Sequence, residues 1–238
     1  RGAFLETSTP LREGWIGCLH RRGADERVLI DAIERSRSRS FLEALVARHH
    51  ENARQAMAES PEAITFAQGR LRSIDEIQPL LPDGVTCLEA FVLPDALLWC
   101  LVRRDHLEVR SFPLKRTELA ALCKRLTDAL HQLPVPTGLP AALQALSDAL
   151  LPGLLPWLEP LVAGSVLSLL PHGPLHALPL HLLPLPEGHV RAGQPLLTTA
   201  DVVYAPSLQA IAEWMSRPVV TSRGAVVIAD PFHDLRFA

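Results

Sequence analysis

The chain has 238 residues, a formal net charge of −3 and 48% apolar residues, a profile typical of globular proteins with enough chain for a buried core. The near-neutral charge gives no electrostatic reason to expect a nucleic acid partner, and no apolar run is long enough to predict a membrane span. No signal peptide is visible, so we expect a cytoplasmic protein, and Arg1 in place of Met predicts a processed or truncated start.

The N-terminal part of the chain predicts helices. The first thirty residues are weakly patterned, with turns indicated at 9–10 and 22–23. From 28 to 58, apolar residues recur close to the 3.6 period opposite a charged face, which predicts a long amphipathic helix that ends before Pro61. Residues 61–82 predict one or two short helices.

Three strands follow, at 85–92, 96–102 and 106–112. The turns between them are short, which favours an antiparallel three-strand meander. In the third strand, apolar residues alternate with Glu108 and Arg110, so we expect one of its faces to be wet.

The second half of the chain alternates amphipathic helices with short apolar strands, which is typical of α/β proteins. The predicted elements are helices at 116–131 and 140–150, a buried strand at 165–170 that ends in the turn Pro171-His172-Gly173-Pro174, proline-broken helical turns at 176–186, a strand at 202–204, a helix capped by Ser207 and an apolar strand at 224–229.

The strand at 224–229 carries its own expectation. A fully apolar strand in an α/β sheet is covered on both faces, usually by the helix that follows it. Only nine residues follow Ala229, and a crossover needs a dozen or more. We therefore expect that the chain stops inside a domain or that another chain completes it.

Three histidines, His172, His176 and His181, form the densest cluster of reactive side chains. The first two are four residues apart, a zinc-like spacing on a helix, but Pro174 opposes a regular helix there and no third ligand lies nearby in the sequence. We expect these histidines to make hydrogen bonds with the backbone at a turn.

The four cysteines, at 18, 87, 100 and 123, form no CxxC pair and no zinc spacing. Cys87 and Cys100 lie in predicted strands and Cys123 on the apolar face of a predicted helix, so we expect buried, reduced thiols. Cys18 is in a loop-like region two residues before His20, which leaves open an internal Cys–His pair.

No motif of nucleotide, metal or Ser-hydrolase chemistry is present, and the Asp230/Asp234 pair predicts a solvated loop rather than a cation site. We therefore assign no catalytic, cofactor-binding or metal-binding residue and expect no cofactor.

Several stretches, taken in order, resemble the CHAT domain family. "VLIDAIERSRSRSFLEAL" (28–45) resembles the last TPR-like helix before a CHAT domain, where a Glu-Arg-x-Arg run is typical. Residues 73–114 look like the helix and three-strand entry to that domain. "SVLSLLPHGPLHALPLHLLPL" (165–185), "VVYAPSLQAI" (202–211) and "GAVVIADPFHDLRFA" (224–238) resemble its early blocks.

The resemblance implies a caspase-like, separase-related cysteine peptidase group with an N-terminal pseudo-protease half and an active half. In that group the catalytic His lies in a block ending His-Gly and the catalytic Cys in a Ser-Ala-Cys-like block one strand later. Neither block occurs in this chain. His172 precedes Gly173 but lies in the earlier block, where relatives often carry Asp, so catalysis is not transferred to it.

The resulting expectation has three parts: a TPR-like helical lead-in at 1–60, the pseudo-protease-like half of a CHAT domain at 61–217, and the first strand of the active half at 218–238. The chain would then be a non-catalytic platform whose partners are the remaining CHAT half and a protein bound through the TPR region. Two alternatives stay open: a non-enzymatic protein-interaction module, and an unrelated α/β hydrolase with an internal cysteine.

Overall fold

The computed structural model describes residues 2–37, 71–132 and 137–215. The longer elements in these ranges are α1 (Gly2–Arg21), α2 (26–37), α3 (Ile74–Ile77), β1 (Val85–Val92), β2 (Leu97–Val102), β3 (Leu107–Phe112), α4 (Arg116–Leu130), α5 (Leu139–Leu150), α6 (Leu155–Leu158), β4 (Val166–Leu170), β5 (Asp201–Tyr204) and α7 (Leu208–Met215). Single turns of 3₁₀ helix fill several of the connections, among them Gly173–Ala177 and Leu180–Leu182.

The strands form one five-stranded mixed sheet in the order β3-β2-β1-β4-β5. Strands β1, β2 and β3 are antiparallel neighbours, whereas β4 runs parallel to both β1 and β5. The predicted α/β class is confirmed. The three consecutive antiparallel strands belong to a larger sheet than the three-strand unit that the turns predicted, because β1 also pairs with a strand about eighty residues later.

Apolar side chains leave the sheet on both faces, which gives the molecule two cores. From β1, Leu88 and Ala90 point into a core closed by α4, α5 and the turns after β4. Cys87 and Phe91 point the other way, into a core closed by α1, α2, α3 and α7. All eight residues of β1 are buried, as a central strand covered on both faces requires.

The N-terminal region differs from the sequence expectation. A twenty-residue helix, α1, replaces the weakly patterned start, and Pro10 lies inside it, so the turn expected at 9–10 is wrong. The turn at 22–23 is confirmed, with Gly23 at a φ of +65°. Helix α2 begins at residue 26, and the rest of the helix predicted to 58 lies outside the described residues, as do residues 61–70.

The charged face of β3 is partly covered by other parts of the chain. Glu108 accepts a hydrogen bond from the Trp157 indole N–H at 2.7 Å, and the Arg110 guanidinium lies 4.6 Å from the centre of the Trp157 ring system. Arg110 also donates to the Gly153 carbonyl at 2.7 Å. The face expected to be wet is therefore partly covered by the segment between α5 and β4, and about 30% of the Glu108 and Arg110 side chains stays exposed.

Strands β1 to β5 and helices α4 and α5 begin and end within about one residue of the predicted positions, since turn residues and apolar periodicity mark both ends. Helix α6 was not predicted, and the helical turns predicted at 176–186 lie at Gly173–Ala177 and Leu180–Leu182. Ser207 caps α7 as predicted: its hydroxyl accepts the Ala210 N–H at 3.1 Å. The strand predicted at 224–229 lies outside the described residues. In the described ranges, no helix combines the length and the apolar character needed to cross a membrane.

Candidate functional site

The carboxyl ends of the parallel strands β1 and β4 meet at one edge of the sheet, the usual position of functional sites in α/β folds. The turn Pro171-His172-Gly173-Pro174 leaves β4 at this edge, with Gly173 at a φ of +57° that favours glycine. Side chains from α2, β1 and the turn converge here, and they form the candidate site.

Arg37, in α2, joins the two strand ends. Its guanidinium donates to the Pro171 carbonyl at 2.6 Å and to the Ala90 carbonyl at 2.7 Å. Its Nε atom lies 2.7 Å from Oε1 of Glu89, and only 7% of its side chain is exposed. A guanidinium offers five donors in a fixed plane, which suits a contact shared between two chain segments and a carboxylate.

Glu89 is a charged residue in the middle of the buried strand β1, with no exposed side-chain area. Its contact with Arg37 is a close ion pair without hydrogen-bond alignment, and neither carboxylate oxygen has a hydrogen-bond partner among the described residues. Burial raises the pKa of Glu89 to about 8; the charge of Arg37 opposes this shift and the charge of Glu34 adds to it. Burial thus favours the protonated carboxyl group of Glu89, whereas the adjacent guanidinium favours the carboxylate.

Glu34 lies three residues before Arg37 on α2 and is 2% exposed. Its two carboxylate oxygens accept the backbone N–H groups of Leu208 and Gln209, at 2.9 and 3.0 Å. These are the first N–H groups of α7, which have no partner inside that helix. Together with Ser207, the glutamate therefore caps α7 from a distant part of the chain.

His172 begins the turn after β4 and stacks on Phe91, with ring centres 4.4 Å apart. Its Nδ1 atom accepts the Val92 N–H at 3.1 Å, so the neutral ring carries its proton on Nε2. Burial, followed by the charges of Arg37, His176 and Arg116, lowers the pKa of His172 to about 3. The imidazole is thus neutral and has no free lone pair with which to act as a general base.

The other two candidate histidines lie further along the same segment. His176 falls in the 3₁₀ turn Gly173–Ala177, and burial, followed by the charge of Arg37, lowers its pKa. His181 contacts Tyr204, with 3.0 Å between Nδ1 and the phenol oxygen, and its backbone N–H donates to the same oxygen at 3.1 Å. The expectation of backbone hydrogen bonds at a turn is confirmed for His172.

The cysteines divide into three buried thiols and one partly buried thiol, all of them free. Burial raises the pKa of Cys87 and of Cys100, and the charge of Glu89 adds to both shifts. Burial also raises the pKa of Cys123, to about 11. Cys18 lies in α1 rather than in the loop-like region that was expected.

No group of three or more His, Cys, Asp or Glu side chains that could hold a metal ion occurs in residues 2–37, 71–132 and 137–215. Asp230 and Asp234 lie outside these ranges.

Sequence reasoning missed Glu34, Arg37 and Glu89 as site residues, although signals for all three were present. Glu34 and Arg37 are the first and last residues of the Glu-Arg-x-Arg run noted above. Glu89 is the only charged residue of the otherwise apolar stretch 85–92, and such a residue needs a buried partner. The pattern could not identify the partners because they come from segments that are distant in sequence.

Residues 140–237 match the CHAT domain family. The match takes in most of α5, all of β4, β5 and α7, and the turn that carries His172. Strands β1 to β3 precede the matched range but are hydrogen-bonded into the same sheet as β4. Comparison with curated proteins gives no match to the chain. The resemblance seen in the sequence is therefore confirmed for residues 140–237, which are similar to the CHAT domain family.

Proposed function

We propose that this chain is the N-terminal, non-catalytic part of a CHAT-type, caspase-like cysteine peptidase, and that it acts as a structural platform. The observation that carries the proposal is the state of His172. A general base needs a lone pair and a pKa near the working pH. The Nδ1 lone pair of His172 is occupied by the Val92 N–H, and its pKa is about 3.

The thiols support the same reading. A nucleophilic cysteine is a thiolate in an exposed, electropositive place. Cys87, Cys100 and Cys123 are buried, and burial raises the pKa of each thiol. These side chains fill the cores, and their reduced state supports a cytoplasmic location.

The platform surface, in this proposal, is the β5 side of the sheet. Strand β5 is the last strand of the sheet among the described residues, and Val203 and Tyr204 are 45% and 40% exposed. Leu197 is 44% exposed and lies in the turn just before β5. Exposed apolar side chains next to an edge strand are suited to packing against a further part of the CHAT domain.

The helices α1 and α2, joined by the turn 22–25, would serve as a TPR-like lead-in that receives a protein partner. Their inner residues, among them Ile16 and Ile33, are buried against the sheet. On the outer side of α1, Leu11 and Trp15 are 76% and 59% exposed and lie one helical turn apart. TPR helices bind peptides or proteins through such surfaces.

A hydrolysis assay tests the proposal. The chain alone should cleave nothing in a peptide library. Co-expressed with a CHAT segment that carries the His-Gly and Ser-Ala-Cys-like blocks, it should give an active assembly. His172→Asn should leave that activity unchanged, whereas substitution of the cysteine in the added segment should abolish it. Hydrolysis by the chain alone that disappears in Cys18→Ser would overturn the proposal in favour of an internal cysteine nucleophile.

A non-enzymatic protein-interaction module is the second candidate, and the exposure of Trp15 and Leu11 favours it. In that case the assembly with the added CHAT segment would form but would cleave no peptide, and the full reading frame would lack the Cys–His pair. A size measurement of the complex, made beside the hydrolysis assay, separates the two functions.

A further inference from the structure

Two side chains on one face of α2 hold two separate parts of the fold. Glu34 and Arg37 are three residues apart, so they lie on the same side of the helix. Glu34 holds the first N–H groups of α7, and Arg37 holds the carbonyl of Pro171 in the turn after β4. Each contact joins a charged side chain to backbone, the stronger class of hydrogen bond.

Among the described residues, the Glu34 carboxylate is the acceptor for the Leu208 and Gln209 N–H groups. The Ser207 hydroxyl serves the Ala210 N–H, which leaves the Leu208 and Gln209 N–H groups to the glutamate. All of these residues are buried, so their N–H groups have no water to replace a lost partner. The Leu208 and Gln209 N–H groups therefore have these hydrogen-bond acceptors only while α2 keeps its position.

Helix α2 is packed against the rest of the fold along its length. Leu29, Ile30 and Ile33 are at most 3% exposed, and Asp31 accepts the Ile74 N–H at 3.1 Å. A helix packed along its length moves as a rigid body rather than residue by residue, since its own hydrogen bonds keep it straight. A displacement of one end of α2 therefore shifts both Glu34 and Arg37.

We propose that α2 is a lever that couples the helical lead-in to the carboxyl edge of the sheet: when α2 moves, the turn after β4 and the start of α7 loosen together. The lever rests on the proposed function, in which α1 and α2 receive a partner. A partner that displaces α2 on binding would then loosen the turn that carries His172, through the contact between the Arg37 side chain and the Pro171 carbonyl.

Hydrogen exchange of the intact chain tests the lever. Arg37→Met removes the charge at similar volume, and Glu34→Gln weakens the cap of α7. Each substitution should raise amide exchange about tenfold in both segments, 171–177 and 208–212, with less than a twofold change in β2. The matched control is Arg35→Met, because Arg35 is on the same helix but is 57% exposed and, among the described residues, pairs with Asp31 at 2.7 Å. It should change neither segment.

Three results would overturn the lever: an effect of each substitution on its own segment only, a uniform rise that includes β2, or no rise. If Arg37→Met does not fold, Arg37→Lys, which keeps a charge but fewer donors, is measured in its place with the same two segments as the readout. The exchange experiment involves no hydrolysis. An inactive assembly would therefore count against the proposed function alone, and independent segments against the lever alone.

Discussion

The Nδ1 atom of His172 accepts the backbone N–H of Val92 at 3.1 Å, which ties the turn after β4 to the end of β1. Because burial, followed by the charges of Arg37, His176 and Arg116, keeps this imidazole neutral, His172 also makes the fold sensitive to acid. The folded pKa is about 3 and the ordinary value is 6.5, so between these pH values the unfolded chain binds a proton that the folded chain does not.

Acid should therefore destabilise the protein through His172. This contribution is complete above pH 6.5 and is lost as the pH falls toward 3, at about 1.4 kcal/mol per pH unit. The free energy of unfolding, measured with urea, should fall between pH 7 and pH 4.5. In His172→Asn this fall should be smaller than in the original chain by roughly 2 to 3 kcal/mol. His131→Asn, at an exposed position after α4, should keep the original difference. Equal differences in all three proteins would contradict the prediction.

Glu89 predicts a pH dependence of the opposite sign. Its folded pKa, about 8, lies above its ordinary value of 4.5, so the folded chain keeps a proton that the unfolded chain releases. The contribution of Glu89 to the free energy of unfolding is complete below pH 4.5 and is lost as the pH rises through 8. Glu89→Gln imitates the protonated carboxyl, and we expect its unfolding free energy to change less between pH 6 and pH 8.5.

The matched control for that measurement is Glu159→Gln, because Glu159 is exposed. It should follow the original chain at both pH values. A Glu89→Gln protein that loses as much stability as the original between pH 6 and pH 8.5 would show that Glu89 is ionised in the folded state.

Gly153 lies so close to the ring of Phe112 that a Cβ atom at this position would be 1.9 Å from Cε1 of the ring. Gly153→Ala should therefore destabilise the fold by about 1 to 3 kcal/mol, because the ring has to leave its position. The double variant with Phe112→Leu should recover part of the loss. Gly138→Ala is the control, since no non-neighbouring atom of the described residues lies within 4 Å of its added Cβ. Equal melting temperatures for the two alanine variants would refute the close approach.

The indole of Trp157 donates to Glu108 at 2.7 Å, and the Glu108 side chain is 30% exposed. Burial raises the pKa of Glu108, but the hydrogen bonds from Arg110 and Trp157 outweigh it, so the pKa lies below the ordinary value. Trp157→Phe keeps the ring and removes the donor, and we expect a loss of roughly 1 to 2 kcal/mol at pH 7. The loss should shrink in acid, once Glu108 has taken up a proton in both the folded and the unfolded state. A double-mutant cycle with Glu108→Gln measures the coupling.

Thiol labelling checks the burial of the cysteines. With iodoacetamide at pH 8, Cys18 should react first, because it alone is partly exposed. Cys87, Cys100 and Cys123 should react only as the protein opens, so urea should accelerate their labelling far more than that of Cys18. Fast native labelling of Cys87 would contradict its place in the core.

The sequence was sufficient for elements whose signals are local. Strands β1 and β4 alternate or run apolar between turn residues, and the Ser207 cap lies next to the helix that it serves. Helix α1 was missed because Pro10 suggests a break, yet the helix contains it. The partial cover on the face of β3 that was expected to be wet could not be predicted, because it comes from Trp157, nearly fifty residues later.

The same limit applies to the candidate site. The sequence placed His172 at a turn after a buried strand, and the structure places it there. It could not pair Arg37 with Glu89 or Glu34 with α7, since those pairings depend on which strands are neighbours in the sheet. A buried charge reports that a partner exists, but only the tertiary fold identifies it.

The contact between Glu34 and Leu208 spans 174 positions of the chain. At roughly 5 to 20 residues per second, a ribosome needs about 10 to 35 s to make the intervening segment. During that time α2 has already been synthesised, but the N–H groups of α7 that Glu34 accepts have not. We expect the first helices to reach their native packing only after β4 and α7 have been synthesised. The nascent chain should therefore bind chaperones, although most of its individual helices and strands are short and local.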